Sequence, residues 1–234
     1  MERSKNIGIA ILLFFIFVAG FQASGQDSGC FFREGYAVGN IENWEPEIRK
    51  IEARHTGNYE KLMEGLLARY GFMGYLIGSK QTSRARKFLD ETESLLNSYR
   101  KQHPNDARLM AVSAAMVGFR IGLSPLRAPF LGPRNVEAWE TALKANPNEP
   151  LAHLEKGNSL FYRPAAFGGN KTEAELAFRR ALQLLDRDTC NWVYSFVQVR
   201  LYEACKANGK KSDAENLRKE LQQQPGHFRW IDDL

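Results

Sequence analysis

Cysteine, histidine and catalytic signatures are all scarce in this 234-residue chain. Only Cys30, Cys190 and Cys205 occur, too few to spell out a disulfide framework and without the Cys/His spacing of a zinc site, so no metal is expected. The histidines His55, His103, His153 and His227 lie far apart, with no HExxH, GxSxG or phosphate-loop pattern around them. The usual metalloprotease, serine-hydrolase and nucleotide-binding chemistries therefore lack their residues, and neither catalysis nor a cofactor is expected. No stretch alternates apolar and polar residues over the length of a strand. A basic stripe is missing too: Lys and Arg interleave with Glu, as from Glu215 to Glu220, the pattern of a solvated helix face and not of a nucleic-acid reader.

The chain is 44% hydrophobic and 25% charged, enough apolar material for a real core. Its first residues stand apart. Met1 to Lys5 is short and charged, Ile7 to Phe21 is almost unbroken apolar, and Ala23-Ser24-Gly25 supplies small residues, the layout of a cleaved secretory signal over 1–25. The apolar run of about 15 residues falls short of the roughly 20 that span a bilayer, which disfavours a retained anchor. A lipoprotein signal ending at Cys30 is the other alternative, although Gln26 to Gly29 lack the aliphatic residue such a signal carries. The mature chain is expected in the periplasm or outside the cell, touching a membrane only through the signal segment or a lipid on Cys30. Loss of Arg3, Lys5 and Glu2 with residues 1–25 takes the formal charge of +5 down by one, leaving a mildly basic protein.

Residues 26–42 hold Gly29, Gly35 and Gly39 without a sustained period and read as an exposed lead-in; Asn43 then precedes Trp44-Glu45-Pro46, with proline in a first helical turn. From there the periodicity is helical. It is clearest over 171–185, where Ala174, Ala177, Phe178, Ala181, Leu182 and Leu185 share one face. Asn170 and Glu173 resemble a capping box at its start, and Asn170-Lys171-Thr172 also matches a glycosylation sequon. Cys190 and Cys205 are expected on one helix, about 22 Å apart and unable to pair. Cys30 is left to bond with either, or all three remain thiols.

His103-Pro104-Asn105-Asp106 and Asn146-Pro147-Asn148-Glu149 are near copies 43 residues apart. Steps of 39 residues then reach Asp186 and Pro225. Each such turn stops one helix and starts another, so the unit between turns is a helical hairpin, stable only when stacked on its neighbours. The mature chain is thus predicted all-α: about four stacked antiparallel hairpins over 57–225, a lead-in with a short helix over 26–56, and a tail over 226–234. His227-Phe228-Arg229-Trp230-Ile231 is expected to fold over the last hairpin, with Trp230 as an exposed anchor the alternative; Asp232 and Asp233 read as solvated.

Trp139, Ala142 and Pro147, then Ala174, Phe178 and Ala181 with Gly157 in the preceding helix, resemble the tetratricopeptide (TPR-like) repeat family. Trp192 falls at the family's early aromatic position, and His153 at the same position of its own repeat. The resemblance covers about 57–225 and is strongest from about 133. It implies an α-solenoid in which small residues let two helices nest, and a role in binding partners. The sequence departs from the family in units of 39 to 43 residues, the excess lying inside the hairpins. Leu123 to Pro133 and Phe161 to Gly169 both carry Arg, Pro and a Phe-x-Gly tripeptide; they look like the loops of exported bacterial TPR-like proteins, including the lipoprotein that partners binding proteins of TRAP-type transporters.

These loops suggest one binding surface made by Arg127, Phe130, Tyr162, Arg163 and Phe167, in which arginine meets carboxylate or phosphate and the aromatics supply apolar area. The plainer alternative has Phe130 and Phe167 stapling each loop to the helix edge. A protein or peptide partner along the concave face is expected first, and a small ligand enclosed between the loops second.

Overall fold

The computed structural model describes residues 28–54, 57–188 and 190–234; the secretory signal expected over 1–25 and His55 lie outside them. The described residues fold into ten α-helices and no strand: α1 Ser28–Val38, α2 Trp44–Arg54, α3 Tyr59–Gly78, α4 Thr82–Gln102, α5 Ala107–Leu123, α6 Ala128–Ala145, α7 Pro150–Tyr162, α8 Lys171–Leu184, α9 Trp192–Ala207 and α10 Lys211–Gln223. No helix among them is long and apolar enough to cross a membrane.

The helix starts are chemically explicit. Asn58, Asp106, Glu149, Asn170 and Asn191 each use a side-chain oxygen to accept from backbone N–H groups of the first turn, satisfying donors that have no partner within the helix. The near-copied turns place Asp106 and Glu149 in that role. Helices α3 and α4, α5 and α6, α7 and α8, and α9 and α10 pack as successive hairpins, and α5 also lies between α3 and α7. Consecutive helices are antiparallel, so α3, α5, α7 and α9 run the same way and their C-terminal turns share one end of the stack.

Two glycines set how closely the helices nest. A Cβ on Gly157 of α7 would collide with the Phe178 ring of α8. One on Gly71 of α3 would stand 2.5 Å from Trp44 and 2.8 Å from Trp192, whose rings meet edge-on at 5.2 Å. Ala142, Ala174 and Ala181 are fully buried, Trp139 and Trp192 nearly so, and Pro147 forms the α6–α7 turn, its carbonyl 2.9 Å from His153 Nε2.

Several expectations need correction. Of the expected exposed lead-in over 26–42, the described part from Ser28 is not an exposed segment: α1 buries Phe32 and Ala37 and packs on α9, because its aromatic face finds the last hairpin across the stack. Cys190 lies in the turn before α9, not on the helix with Cys205, since Asn191 caps at that point. It is therefore free to reach Cys30, with which it forms a disulfide spanning 160 residues; Cys205 is a buried free thiol. The bonded sulfur leaves no thiol for a lipid on Cys30. The loop over 123–133 shrinks to Ser124–Arg127, because Pro129 falls where helical N–H groups lack partners anyway, so Phe130 stands in the first turn of α6. The tail does more than cover the last hairpin. Phe228 and Ile231 are buried, while the half-buried Trp230 donates to the Tyr36 and Ala37 carbonyls at the end of α1. It is no exposed anchor; the two ends of the described chain clasp each other.

Candidate functional site

The turn end of the stack carries the residues singled out from the loops. Phe130 and Phe167 are 77% and 72% exposed, Tyr162 is 63% exposed, and the neighbouring Leu126 reaches 91%. Side chains so exposed neither staple a loop nor enclose a pocket, so both of those readings give way to an open apolar edge. Arg127 is exposed. Arg163 is half-buried and donates to Ser159.

Tyr162 belongs to a second arrangement as well. Where α3, α7 and α9 converge, Tyr70, Phe161, Tyr162 and Phe196 surround a polar nest that the loop motifs did not reveal. Tyr70 Oη donates to the buried Glu155 carboxylate at 2.9 Å, and Asn158 Nδ2 reaches both Tyr70 Oη, at 3.0 Å, and Glu155, at 3.1 Å. The Arg200 guanidinium lies against the Phe161, Tyr162 and Phe196 rings and donates to Tyr162 Oη. It also pairs with Glu203 at 2.8 Å, without an aligned hydrogen bond to that oxygen. Three buried atoms here, Asn158 Oδ1, Arg200 Nε and Glu203 Oε2, have no hydrogen-bond partner among the described residues. An unmet buried donor or acceptor costs about 1–3 kcal/mol. The spacing of Glu155, Asn158 and Tyr162 on α7, and of Phe196, Arg200 and Glu203 on α9, puts each trio on one helical face. Polar residues on helices otherwise packed on both sides were the available signal.

Burial pushes the Glu155 carboxyl up to about 7, against the lowering effect of hydrogen bonds from Tyr70 and Asn158 and of the Arg200 charge. Burial likewise raises Tyr70 and Glu203. A carboxyl raised in the folded state keeps its proton while the unfolded chain loses it. Its stabilising effect is thus complete below the ordinary value of 4.5 and is lost as pH rises to about 7. The loss over that window corresponds to about 3 kcal/mol. Urea denaturation across this range is expected to show a fall in stability that Glu155→Gln removes; parallel curves for the two proteins would acquit Glu155.

Two other clusters are self-satisfied. A hollow of about 730 Å³ between α2, α3 and α4 has its arginines committed, Arg49 to Glu45 and Glu91 and Arg69 to Glu52. Glu175, Cys205 and Asp213 converge as a metal site would, yet Arg179 bonds to both carboxylates and Lys210 to Glu175. Burial alone would raise Glu175, but hydrogen bonds from Lys210, Asn208 and Arg179 outweigh it and hold the carboxyl at about 2. Protein cations already stand where a metal would.

No family model and no curated protein matches the chain. A solved structure does: the HusA haemophore from Porphyromonas gingivalis superposes with a TM-score of 0.60 over 79% of this chain and 96% of that one. The two are 17% identical, so the likeness is one of fold.

Proposed function

We propose that the chain is an exported, non-catalytic binding protein with a tetratricopeptide-like stack, which seats a segment of a protein or peptide partner at the nest between α7 and α9. The observation that carries this reading is the presence at the nest of an unmet donor, Arg200 Nε–H, beside an unmet acceptor, Asn158 Oδ1, with Glu203 Oε2 a further open acceptor. A peptide unit offers one acceptor and one donor, the complement of that pair, and the surrounding rings supply apolar area for its side chains. Tyr162 is the cover: it is mostly solvent-exposed yet rests on Arg200, so its rotation opens the nest without disturbing the core. Export draws support from the secretory pattern of 1–25 and from the Cys30–Cys190 bond, which suits an oxidising compartment. A second reading, a small planar ligand such as haem, is favoured by the match to a haemophore across nearly its whole length.

The test is affinity capture with residues 26–234 from envelope extract, beside Asn158→Ala and Tyr162→Ala variants of unchanged melting temperature. Retention of one specific protein by the parent and its loss from both variants is the expected result. Haemin titration decides the second reading: a saturating change in the haem absorption band that weakens in Tyr162→Ala transfers the site to a small ligand. A protein retained equally by all three chains overturns the nest as the binding site.

A further inference from the structure

The nest leaves the turn end of the stack unexplained. Leu126, Phe130 and Phe167 project there with more than two thirds of their surface in water, an arrangement that costs solvation and that a folded edge ordinarily avoids. Leu126 comes from the α5–α6 connection, Phe130 from the first turn of α6 and Phe167 from the α7–α8 connection, and these lie side by side because α5 packs on α7 and the two helices run in parallel. The charge around them is one-sided. No acidic residue occurs between Asp106 and Glu137, or between Glu155 and Glu173, while Arg127, Arg134, Arg163 and Lys171 fall inside those intervals. Arg127 and Arg134 are exposed, while Arg163 donates to Ser159 and Lys171 donates to the Phe161 carbonyl and lies over the Phe161 ring; among the described residues none of the four is held by a carboxylate salt bridge of the kind that Arg120 makes with Asp90 and Glu93. Glu173, on the exposed first turn of α8, is the nearest acid in sequence to Lys171.

We infer that this edge docks on an anionic lipid surface, with Leu126, Phe130 and Phe167 entering the headgroup boundary while Arg127, Arg163 and Lys171 meet lipid phosphates. Apolar and aromatic tips with cations close by in the chain fit that boundary on both counts: the rings partition into the interface, and each cation adds about fivefold to affinity for a negative leaflet. A protein partner would account for the apolar tips but does not require the excess of cations over acids beside them, where Glu173 and Glu203 are the acids near Lys171. The inference goes beyond the peptide-binding reading, since the nest uses Asn158 and Arg200 and the edge does not.

Sedimentation of residues 26–234 with vesicles tests it, comparing phosphatidylcholine alone with phosphatidylcholine containing about 30% phosphatidylglycerol. Binding is expected to the anionic vesicles, to weaken with added salt, and to fall at least about tenfold both in a Leu126→Ser, Phe130→Ser, Phe167→Ser chain and in an Arg127→Glu, Arg163→Glu chain. Leu126, Phe130, Phe167 and Arg127 face water, so the serine variant is expected to keep the parent's melting temperature; Arg163 is half-buried against Ser159, and an Arg127→Glu, Arg134→Glu chain, both positions exposed, is expected to show the same loss of binding. In a separate Leu126→Trp chain the new fluorescence is expected to shift to the blue on anionic vesicles. Equal partition into neutral and anionic vesicles, no partition at all, or an unaltered triple variant would overturn the inference. Asn158→Ala is expected to bind vesicles as the parent does, so failure of the nest and failure of the edge are told apart. A protein captured from extract only when Phe130 and Phe167 are intact, with no vesicle binding, would make the edge a protein contact instead.

Discussion

Replacing Cys30 and Cys190 together by serine is expected to lower the unfolding free energy by about 5 kcal/mol, the largest effect of any change considered. The bond closes a loop of 160 residues, and in the chain-entropy account the constraint it places on the unfolded state grows with the logarithm of loop length, reaching about 5 kcal/mol here. Its location compounds the effect. It ties α1 to the turn before α9, beside the joint where Tyr36 meets Trp192, Phe196, Phe228 and Trp230 and Arg33 donates to Gln224 and Pro225. A chain of this size loses about 2–4 °C per kcal/mol, so thermal unfolding with and without reductant checks the effect directly. The parent is expected to lose about 10–20 °C on reduction, and the double-serine chain nothing. A parent insensitive to reductant would mean that the α1 joint holds without the bond. Cys205→Ala, which removes the free thiol, is expected to leave the reductant response intact.

Phe178→Ala is the second large expected loss, about 3–5 kcal/mol, because the ring is fully buried against α7 and its removal leaves a cavity. Gly157→Ala is expected to cost about 1–3 kcal/mol for the opposite reason, since its new methyl would collide with that same ring. The two side chains compete for one volume. Hence the double variant is expected to be more stable than the summed losses predict, and a double-mutant cycle in urea reads the difference. Strict additivity would show that α7 and α8 separate to accept the methyl instead of trading it against the ring.

The tip residues and the nest differ in how they could be found. Phe130 and Phe167 drew attention as aromatic residues within Pro/Gly-rich segments, and such local composition is visible along a chain. Their exposure was not, because the same tripeptide could have stapled a loop; only the direction of the first turn of α6 and of the Ala165–Phe167 turn puts those rings in water. The nest was still less accessible. Tyr70, Glu155 and Arg200 are separated by 85 and 45 positions, and what joins them is the convergence of α3, α7 and α9, a property of the curl of the whole stack.

Hydrophobic spacing, capping residues and recurrent Pro-Asn turns act within a few residues of themselves, and by those means the sequence alone determined that this protein is helical, that α8 starts at the Asn170 cap, and that the helices pair as successive hairpins. Gly157 was legible as a close approach because it lies one hairpin partner away from Phe178. Contacts between distant segments obey no such local rule. Whether α1 would lie free or close on α9, which cysteine would reach Cys30, and whether Trp230 would face solvent or α1 depended on the cumulative angle between hairpins. Small rotations at each interface add along the stack, and only the tertiary structure carries their sum.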